Sequence, residues 1–220
     1  MKIALDLDNV IIDIMASARA VTAKDHGLAL DEVVETFIYW DPFTHADPVV
    51  AERLKPSHSF WDREEVLLAA PRLPGSLEAV LRLHDRSLLA CYITRRPPSV
   101  AHHTVRWLEE NRYPQLPVIH VGHTDRALYF SLCKSSACIE HGVTHMVDDQ
   151  PHEVETLTAA GIATILVDAP VGRDKRREFM IANPHVPVAA SLAHAVDMLF
   201  NEFPLAATSA PIGHPISLKN

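Results

Sequence analysis

Two aspartates stand inside an otherwise apolar segment near the start of the chain, LDLDNVIID at residues 5–13. A carboxylate is costly to bury unless a partner compensates its charge, so Asp6 and Asp8 need an explanation. A metal ion, a phosphate site or a functional cleft would each supply one. Two carboxylates this close can also divide the roles of nucleophile and proton carrier. The pair therefore marks this segment as a candidate functional site.

Other polar residues of the chain suit the chemistry of metals and phosphate groups. Asp148 could join Asp6 and Asp8 in supplying hard oxygen ligands, and Mg²⁺ prefers a few carboxylates together with water and substrate phosphate. Thr94 supplies a hydroxyl group, and Lys134 supplies a positive charge. Transfer of a phosphoryl group depends on positioning and on neutralisation of charge, which a metal ion, a lysine and a hydroxyl provide together.

The elements that must position these residues follow from the pattern of apolar runs. Short runs rich in β-branched residues predict strands buried on both faces, as in a parallel sheet. Their alternation with helical patterns predicts a doubly wound α/β fold. The predicted strands cover 2–8, 88–94, 117–122, 144–149 and 163–168, and the predicted helices cover 11–26, 75–86, 99–112, 126–141, 151–160 and 191–203.

Polar residues gather where several of these predicted strands end. In open parallel sheets, ligands bind outside the carboxyl ends of the strands, at the point where the strand order reverses. We therefore expect the candidate residues to meet at one edge of the sheet. The residues at the ends of the first, second and fourth predicted strands are Asp6 and Asp8, then Thr94, Arg95 and Arg96, then Asp148 and Asp149.

The connection between the first strand and residue 75 is far longer than a crossover needs, at roughly 65 residues. An inserted and mostly helical subdomain is the natural interpretation. We predict an α/β core over 1–14 and 74–205, a helical cap over 15–73 and a C-terminal tail over 206–220. The charged stretch RDKRRE at 173–178 is expected to be a solvated loop or helix start. The insertion holds the aromatic residues Phe37, Tyr39, Trp40, Phe43, Phe60 and Trp61.

Composition narrows the class of protein. The net charge of −8 argues against a protein that binds a nucleic acid polymer, since such domains usually carry a basic patch. No apolar run approaches the roughly 20 residues of a membrane span. The three cysteines form no disulfide framework, and residues 1–10 lack the features of a signal peptide, so we expect a cytoplasmic protein. The sequence leaves a homodimer open.

Four motifs of the chain resemble those of a known family. The segments DLDNV at 6–10 and YITRR at 92–96, Lys134, and VDDQP at 147–151 are similar in order and spacing to the motifs of the haloacid dehalogenase (HAD) superfamily of phosphatases. The paired aspartates before a proline, and LPGSLEAVLRL at 73–83, resemble the 5′-nucleotidase branch, which includes the 5′(3′)-deoxyribonucleotidases. The resemblance implies a HAD-like, Rossmann-like parallel sheet with a small helical cap inserted after the first strand.

The resemblance also implies an activity. It implies a Mg²⁺-dependent phosphomonoester hydrolase that acts through an aspartyl-phosphate, on a nucleoside or deoxynucleoside monophosphate. Asp6 would attack the phosphorus, and Asp8 would protonate the leaving oxygen and later deprotonate the attacking water. The ligands of Mg²⁺ would be the Asp6 carboxylate, the Asp8 backbone carbonyl and Asp148.

Further roles follow from the same resemblance. Thr94 and Lys134 would hold the phosphoryl oxygens, and Arg95 would contact phosphate or substrate. Asp149 would support Lys134 or a water on the metal, and Asn9 stands where glycine is common in the family.

The aromatic residues of the insertion have two interpretations. Most aromatic residues on helices pack inside their own subdomain. Alternatively, Phe60 and Trp61 stack on a nucleobase, because they lie shortly before the chain returns to the core.

Two other functions remain open at this stage. One is a phosphatase for another small phosphorylated metabolite, and the other is a non-catalytic HAD-like domain that binds a phosphate ligand or a protein. The presence of Asp8 beside Asp6 favours an enzyme, because a binding domain has no need of the second carboxylate.

Overall fold

The computed structural model describes residues 1–36, 43–54, 63–123, 128, 131–169 and 173–202. Its strands, in chain order, are β1 (Ile3–Leu5), β2 (Val34–Glu35), β3 (Phe43–Thr44), β4 (Leu89–Thr94), β5 (Val118–His120), β6 (His145–Asp148), β7 (Ala163–Val167) and β8 (Val188–Ala189). Six of them form one parallel sheet in the order β5-β4-β1-β6-β7-β8, and β2 and β3 form an antiparallel pair. The predicted α/β class is confirmed.

Helices cover both faces of the six-stranded sheet. Alternate residues of β1 point to opposite faces, as in any strand, so Ile3 and Leu5 belong to one apolar cluster and Ala4 belongs to another. The helices are α1 (Ile14–His26), α2 (Pro48–Leu54), α3 (Glu64–Ala69), α4 (Ser76–Asp85), α5 (Ala101–Glu110), α6 (Lys134–Glu140), α7 (Pro151–Ala159), α8 (Arg173–Ala182) and α9 (Leu192–Glu202).

The strand order places the ends of β4, β1 and β6 side by side. After β1 the chain adds β4 and β5 on one side, then returns to add β6, β7 and β8 on the other. Leu5 is paired with Tyr92 of β4 and with Val147 of β6. The reversal of strand order therefore lies at β1, where a site is expected in such sheets.

The connection between β1 and α4 holds α1, the β2–β3 pair, α2 and α3. Within it, α1 packs against α3, and α3 packs against α5 of the α/β layers. Phe43 is buried in the apolar cluster that also holds Leu5. The other five aromatic residues of this connection, Phe60 and Trp61 among them, lie outside the described residues, and the division into core and cap stays a prediction.

The structure departs from the predicted elements in several places. The helix predicted over 126–141 begins only at Lys134, and residues 131–133 are not helical. The sheet has a sixth strand, β8, which is only two residues long and follows a proline, so it leaves no apolar run to detect. The stretch 173–178 lies in helix α8, and Arg176 within it is 1% exposed, so the expectation of a solvated segment is wrong for that residue. Among the described residues, no helix combines the length and the apolar character needed to cross a membrane.

Candidate active site

Three buried carboxylates meet at the carboxyl ends of β1 and β6. Asp6 directly follows β1, and its backbone N–H donates to the carbonyl of Val147 at 3.0 Å. Asp148 ends β6 and Asp149 follows it. One carboxylate oxygen from each aspartate lies within 4.8 Å of the other two, and all three residues are buried. The register of β1 with β6 thus brings together acidic residues that lie far apart in sequence.

Lys134 brings a positive charge to this carboxylate cluster. It is the first residue of α6 and is fully buried. Its Nζ lies 2.7 Å from Asp148 Oδ2 and 3.0 Å from Asp6 Oδ2. A cation at the amino end of a helix opposes the helix dipole, and a buried ammonium loses its hydration. The two carboxylates offset both penalties, so the position of Lys134 is explained by its charge partners.

The carboxylates of the cluster hold protons more tightly than ordinary aspartates. Burial raises the pKa of Asp6 well above its usual value, with Lys134 opposing the shift and Asp148 and Asp149 adding to it. Burial likewise raises the pKa of Asp148, against the effect of Lys134. Burial together with the Asp148 carboxylate raises the pKa of Asp149 to about 7. The cluster therefore holds more negative charge than its surroundings compensate.

This donor set fits a hard divalent cation. Oδ1 of Asp6 is buried and has no hydrogen-bond partner among the described residues, which is unusual for a buried polar atom. Three carboxylates with oxygens in one small volume are the ligand type that Mg²⁺ prefers. A bound cation would satisfy the free oxygen of Asp6 and would supply the missing positive charge.

Asp8 lies in a different environment from Asp6. Its carboxylate receives two hydrogen bonds from one guanidinium group, from Arg96 Nε to Oδ2 at 3.0 Å and from Arg96 Nη2 to Oδ1 at 2.7 Å. The Asp8 side chain is 22% exposed, whereas that of Arg96 is 3% exposed. Asp8 is still close enough to raise the pKa of Asp6. One carboxylate is thus buried beside a lysine, and the other reaches toward solvent beside an arginine.

Thr94 and Arg95 end the neighbouring strand β4 but face different partners. Thr94 is fully buried, and its Oγ1 accepts from the backbone N–H of Arg96 at 3.2 Å. Arg95 donates to Glu153 of α7 and to the backbone carbonyls of Leu132 and Val121. These contacts tie Arg95 to α7 and to the chain before α6, so its predicted role in phosphate binding stays a prediction.

The close approach behind Arg95 explains the glycine that follows β5. A Cβ atom on Gly122 would lie 1.6 Å from the backbone oxygen of Arg95. Only glycine leaves room for the two backbones at this distance. This contact keeps the chain after β5 against the end of β4.

The structure explains why asparagine can occupy position 9, where glycine is common in the family. The φ of Asn9 is 60°, in the left-handed region that favours glycine and that asparagine tolerates better than most other residues. Its Nδ2 also donates to Asp149 Oδ2 at 3.1 Å, beside a bond of 2.8 Å from Gln150 Nε2 to the same oxygen. Asparagine therefore supplies the backbone conformation of a glycine and a hydrogen bond to the cluster.

The structure gathers Asp6, Lys134, Asp148 and Asp149, with Asp8 and Thr94 at the adjoining strand ends. Sequence reasoning placed Arg96 at this edge of the sheet without a role, and it missed Arg176, which is also buried beside these residues. Arg96 binds Asp8, and Arg176 Nη1 donates to the backbone carbonyl of Asp149 at 2.6 Å. Two adjacent arginines in YITRR do not indicate which of them contacts Asp8, and a charged stretch on a helix does not indicate that Arg176 is buried.

Comparison with solved structures defines the class of fold. A HAD family hydrolase from Deinococcus radiodurans with bound phosphate and sodium has a TM-score of 0.58 and 14% identity, covering 91% of this chain and 95% of that one. A D,D-heptose 1.7-bisphosphate phosphatase from B. bronchiseptica, complexed with magnesium and phosphate, has a TM-score of 0.51 and 17% identity, covering 92% and 99%. At these identities the likeness establishes the HAD fold.

The family itself is shown by sequence comparison. A family model described as "5' nucleotidase, deoxy (Pyrimidine), cytosolic type C protein" matches residues 1–184, and the chain belongs to this family of the HAD superfamily. The resemblance that the four motifs indicate is therefore confirmed. A protein of Oceanobacillus iheyensis named "putative nucleotidase" is 29% identical over 118 residues, which span 52% of this chain and 58% of that relative.

Proposed function

We propose that this protein is a Mg²⁺-dependent phosphomonoester hydrolase that acts on a nucleoside or deoxynucleoside monophosphate through an aspartyl-phosphate. The observation that carries the proposal is the difference between the two carboxylate oxygens of Asp6. Lys134 engages its Oδ2 at 3.0 Å, while its Oδ1 is buried without a partner among the described residues. A carboxylate held in this way has one oxygen oriented by a cation and one oxygen available for a ligand. Membership of the 5′-nucleotidase family supports the substrate class.

In the first half of the reaction, an oxygen of Asp6 forms a bond to phosphorus as the bond from phosphorus to the leaving oxygen breaks. Asp8 gives its proton to the leaving oxygen, which departs as an alcohol. Lys134 and Thr94 hold the phosphoryl oxygens. Lys134 is suited to this because it is buried and remains protonated: burial alone would lower its pKa, but Asp148 and Asp6 raise the pKa above its ordinary value.

In the second half, water attacks the phosphorus of the aspartyl-phosphate, and Asp8 takes the proton of that water. The bond between phosphorus and Asp6 breaks, so inorganic phosphate leaves and both carboxylates return to their starting states. The residues suited to hold Mg²⁺ are Asp6, Asp148 and the backbone carbonyl of Asp8, with Asp149 in support. When bound, the ion would neutralise charge on the phosphoryl oxygens and reduce their repulsion from Asp6.

The remaining expectations belong to the same proposal. The connection over 15–73 would act as a cap that selects the leaving group, and Phe60 and Trp61 would stack on the base. The partner would be a small phosphorylated substrate, and the location would be the cytoplasm.

A substrate screen tests the proposal. Release of phosphate should be measured on nucleoside and deoxynucleoside monophosphates, sugar phosphates, phosphorylated amino acids and nitrophenyl phosphate, each with Mg²⁺ and with excess chelator. We expect a nucleotide to have the highest kcat/KM and turnover to require the metal. If another class of phosphate is preferred, the substrate assignment fails while the phosphatase assignment stands. If nothing is hydrolysed, a binding domain is the better interpretation.

A further inference from the structure

Arg96 is a buried arginine that has no part in the steps described above. Its guanidinium group binds both oxygens of Asp8, at 3.0 Å and 2.7 Å. A planar, two-pronged contact of this kind fixes the direction of a carboxylate as well as its distance. Asp8 itself is 22% exposed and lies beyond the end of β1.

The guanidinium group is itself held in place by the elements around it. Arg96 Nη1 donates to Thr104 Oγ1 of α5 at 3.2 Å, and that hydroxyl donates to the backbone carbonyl of Val100 at 3.2 Å. The backbone of Arg96 is bonded to Thr94 Oγ1 on one side and to His120 Nδ1 on the other. Arg96 is therefore anchored to β4, to α5 and to the end of β5.

Direct binding of substrate phosphate by Arg96 fits these contacts poorly. Each of its three guanidinium nitrogens already has an acceptor, either Asp8 or Thr104. The side chain is 3% exposed, so a phosphate could reach it only by displacing Asp8. The contacts favour an arginine that acts on the substrate through Asp8.

We propose that Arg96 is a positioning residue that holds the Asp8 carboxylate in the orientation from which it exchanges a proton with the leaving oxygen and with the attacking water. The inference rests on the proposed function, because it assigns a task to the proton carrier of that reaction. Arg96 keeps its own protons throughout. When Asp8 carries the proton, its carbonyl oxygen still accepts one of the two hydrogen bonds from Arg96, so at least one bond orients the side chain in both steps.

The test compares substrates whose leaving groups differ in their need for a proton. For each substrate, kcat/KM covers the steps up to departure of the leaving group. In Arg96→Ala, we expect kcat/KM for an alkyl phosphate to fall about 10²-fold, as for a misplaced catalytic group. For nitrophenyl phosphate, whose leaving group needs no proton, the loss should stay within about tenfold. For each substrate, kcat/KM of Arg96→Lys should lie between those of the wild type and Arg96→Ala. Added guanidinium ion should restore activity to Arg96→Ala and to no other variant.

A double-mutant cycle tests whether Arg96 acts through Asp8. If it does, adding Arg96→Ala to Asp8→Asn should lower kcat/KM for the alkyl phosphate by less than about threefold, because the group being positioned is already lost. Arg82→Ala is the matched control, since Arg82 forms an exposed ion pair with Asp197, away from the site. It should leave both substrates unchanged.

Several outcomes would overturn the inference. Equal losses on both substrates without rescue by guanidinium would mean a structural role, and an effect confined to KM would mean that Arg96 binds substrate. If Arg96→Ala does not fold, Thr104→Val decides. That variant removes one anchor of Arg96 and should give a smaller loss with the same dependence on leaving group, whereas a uniform loss contradicts the proposal. Failure of the proposed function is separate, because the wild type would then hydrolyse neither substrate.

Discussion

Asp6 and Asp8 are two residues apart, yet the structure places them in opposite electrostatic situations. Asp6 belongs to a buried cluster of three carboxylates. Two of them contact the ammonium of Lys134, and the guanidinium of Arg176 lies 3.7 Å from the third, Asp149. Asp8 is partly exposed and is matched one to one by Arg96. The first environment has an excess of negative charge and a carboxylate oxygen without a hydrogen-bond partner among the described residues, whereas the charges in the second are balanced. A further cation is therefore needed beside Asp6 and not beside Asp8.

The largest effect should come from removing the proposed nucleophile, Asp6. Asp6→Asn keeps the size of the side chain but removes its ability to form the aspartyl-phosphate, so we expect kcat to fall by at least about 10³-fold on every substrate. Steady-state kinetics with nitrophenyl phosphate and with the best nucleotide would measure this. Turnover near that of the wild type would contradict the role given to Asp6.

The effect of Asp8→Asn, unlike that of Asp6→Asn, should depend on the leaving group of the substrate. Loss of a general acid and base typically lowers rates by about 10²–10⁴-fold, and the acid half of this effect is absent when the leaving group needs no proton. We expect kcat/KM to fall more for an alkyl phosphate than for nitrophenyl phosphate. Equal reductions for the two substrates would argue that Asp8 is not the proton donor.

Removing Lys134, the partner of Asp6, should lower the free energy of unfolding more than removing Arg96, the partner of Asp8. Lys134→Met leaves Asp6 and Asp148 without their buried partner, a change that typically lowers the free energy of unfolding by about 3–5 kcal/mol. Arg96→Met should lower it by less, because water can reach Asp8. Urea unfolding in chelator measures both.

Magnesium provides the control for that experiment. If the cluster binds the ion, Mg²⁺ should recover part of the stability lost in Lys134→Met, since a ligand that binds only the folded state stabilises it. In Arg96→Met, Mg²⁺ should raise the stability by the same amount as in the wild type. If Mg²⁺ adds no stability to Lys134→Met, the ion is not held by the cluster.

The dependence of stability on pH should reveal the excess negative charge directly. Burial raises the pKa of Asp6 and Asp148, and raises that of Asp149 to about 7, so the folded, metal-free protein binds more protons than the unfolded chain above about pH 4. Their contribution to stability is therefore present at acid pH and is lost as the pH rises toward 7. Mg²⁺ competes with these protons, so we expect it to raise Tm more at about pH 8 than at about pH 5.5. Thermal unfolding with Mg²⁺ and with chelator would measure this, and a shift independent of pH would contradict it.

The smallest effect should come from substitutions of Asn9, a residue of the first motif whose side chain donates a hydrogen bond to Asp149. Asn9→Gly keeps the left-handed backbone and loses one hydrogen bond to Asp149, for an expected change of about 1 kcal/mol. Asn9→Ala loses the same bond and adds the strain of a Cβ atom at positive φ, roughly 1 kcal/mol more. Thermal unfolding of the two variants side by side would test this, and equal stabilities would show that backbone strain at residue 9 is negligible.

The fold class, the family and the motif residues could all be predicted from the amino-acid sequence. Apolar runs ended by polar residues predict parallel strands with a site at their carboxyl ends, and this pattern is local enough to detect in one chain. Strand β8 was not predicted, because two residues are too few to show a periodic pattern.

Tertiary structure alone decided which charges meet. Arg95 and Arg96 are chemically identical neighbours, but successive residues at the end of a strand leave in different directions, so one contacts Glu153 and the other contacts Asp8. Arg176 reaches Asp149 only because α8 packs against α7. The direction of a side chain and the burial of a charge depend on contacts between distant segments, and for that reason the environments of Asp6 and Asp8 could not be predicted from their spacing.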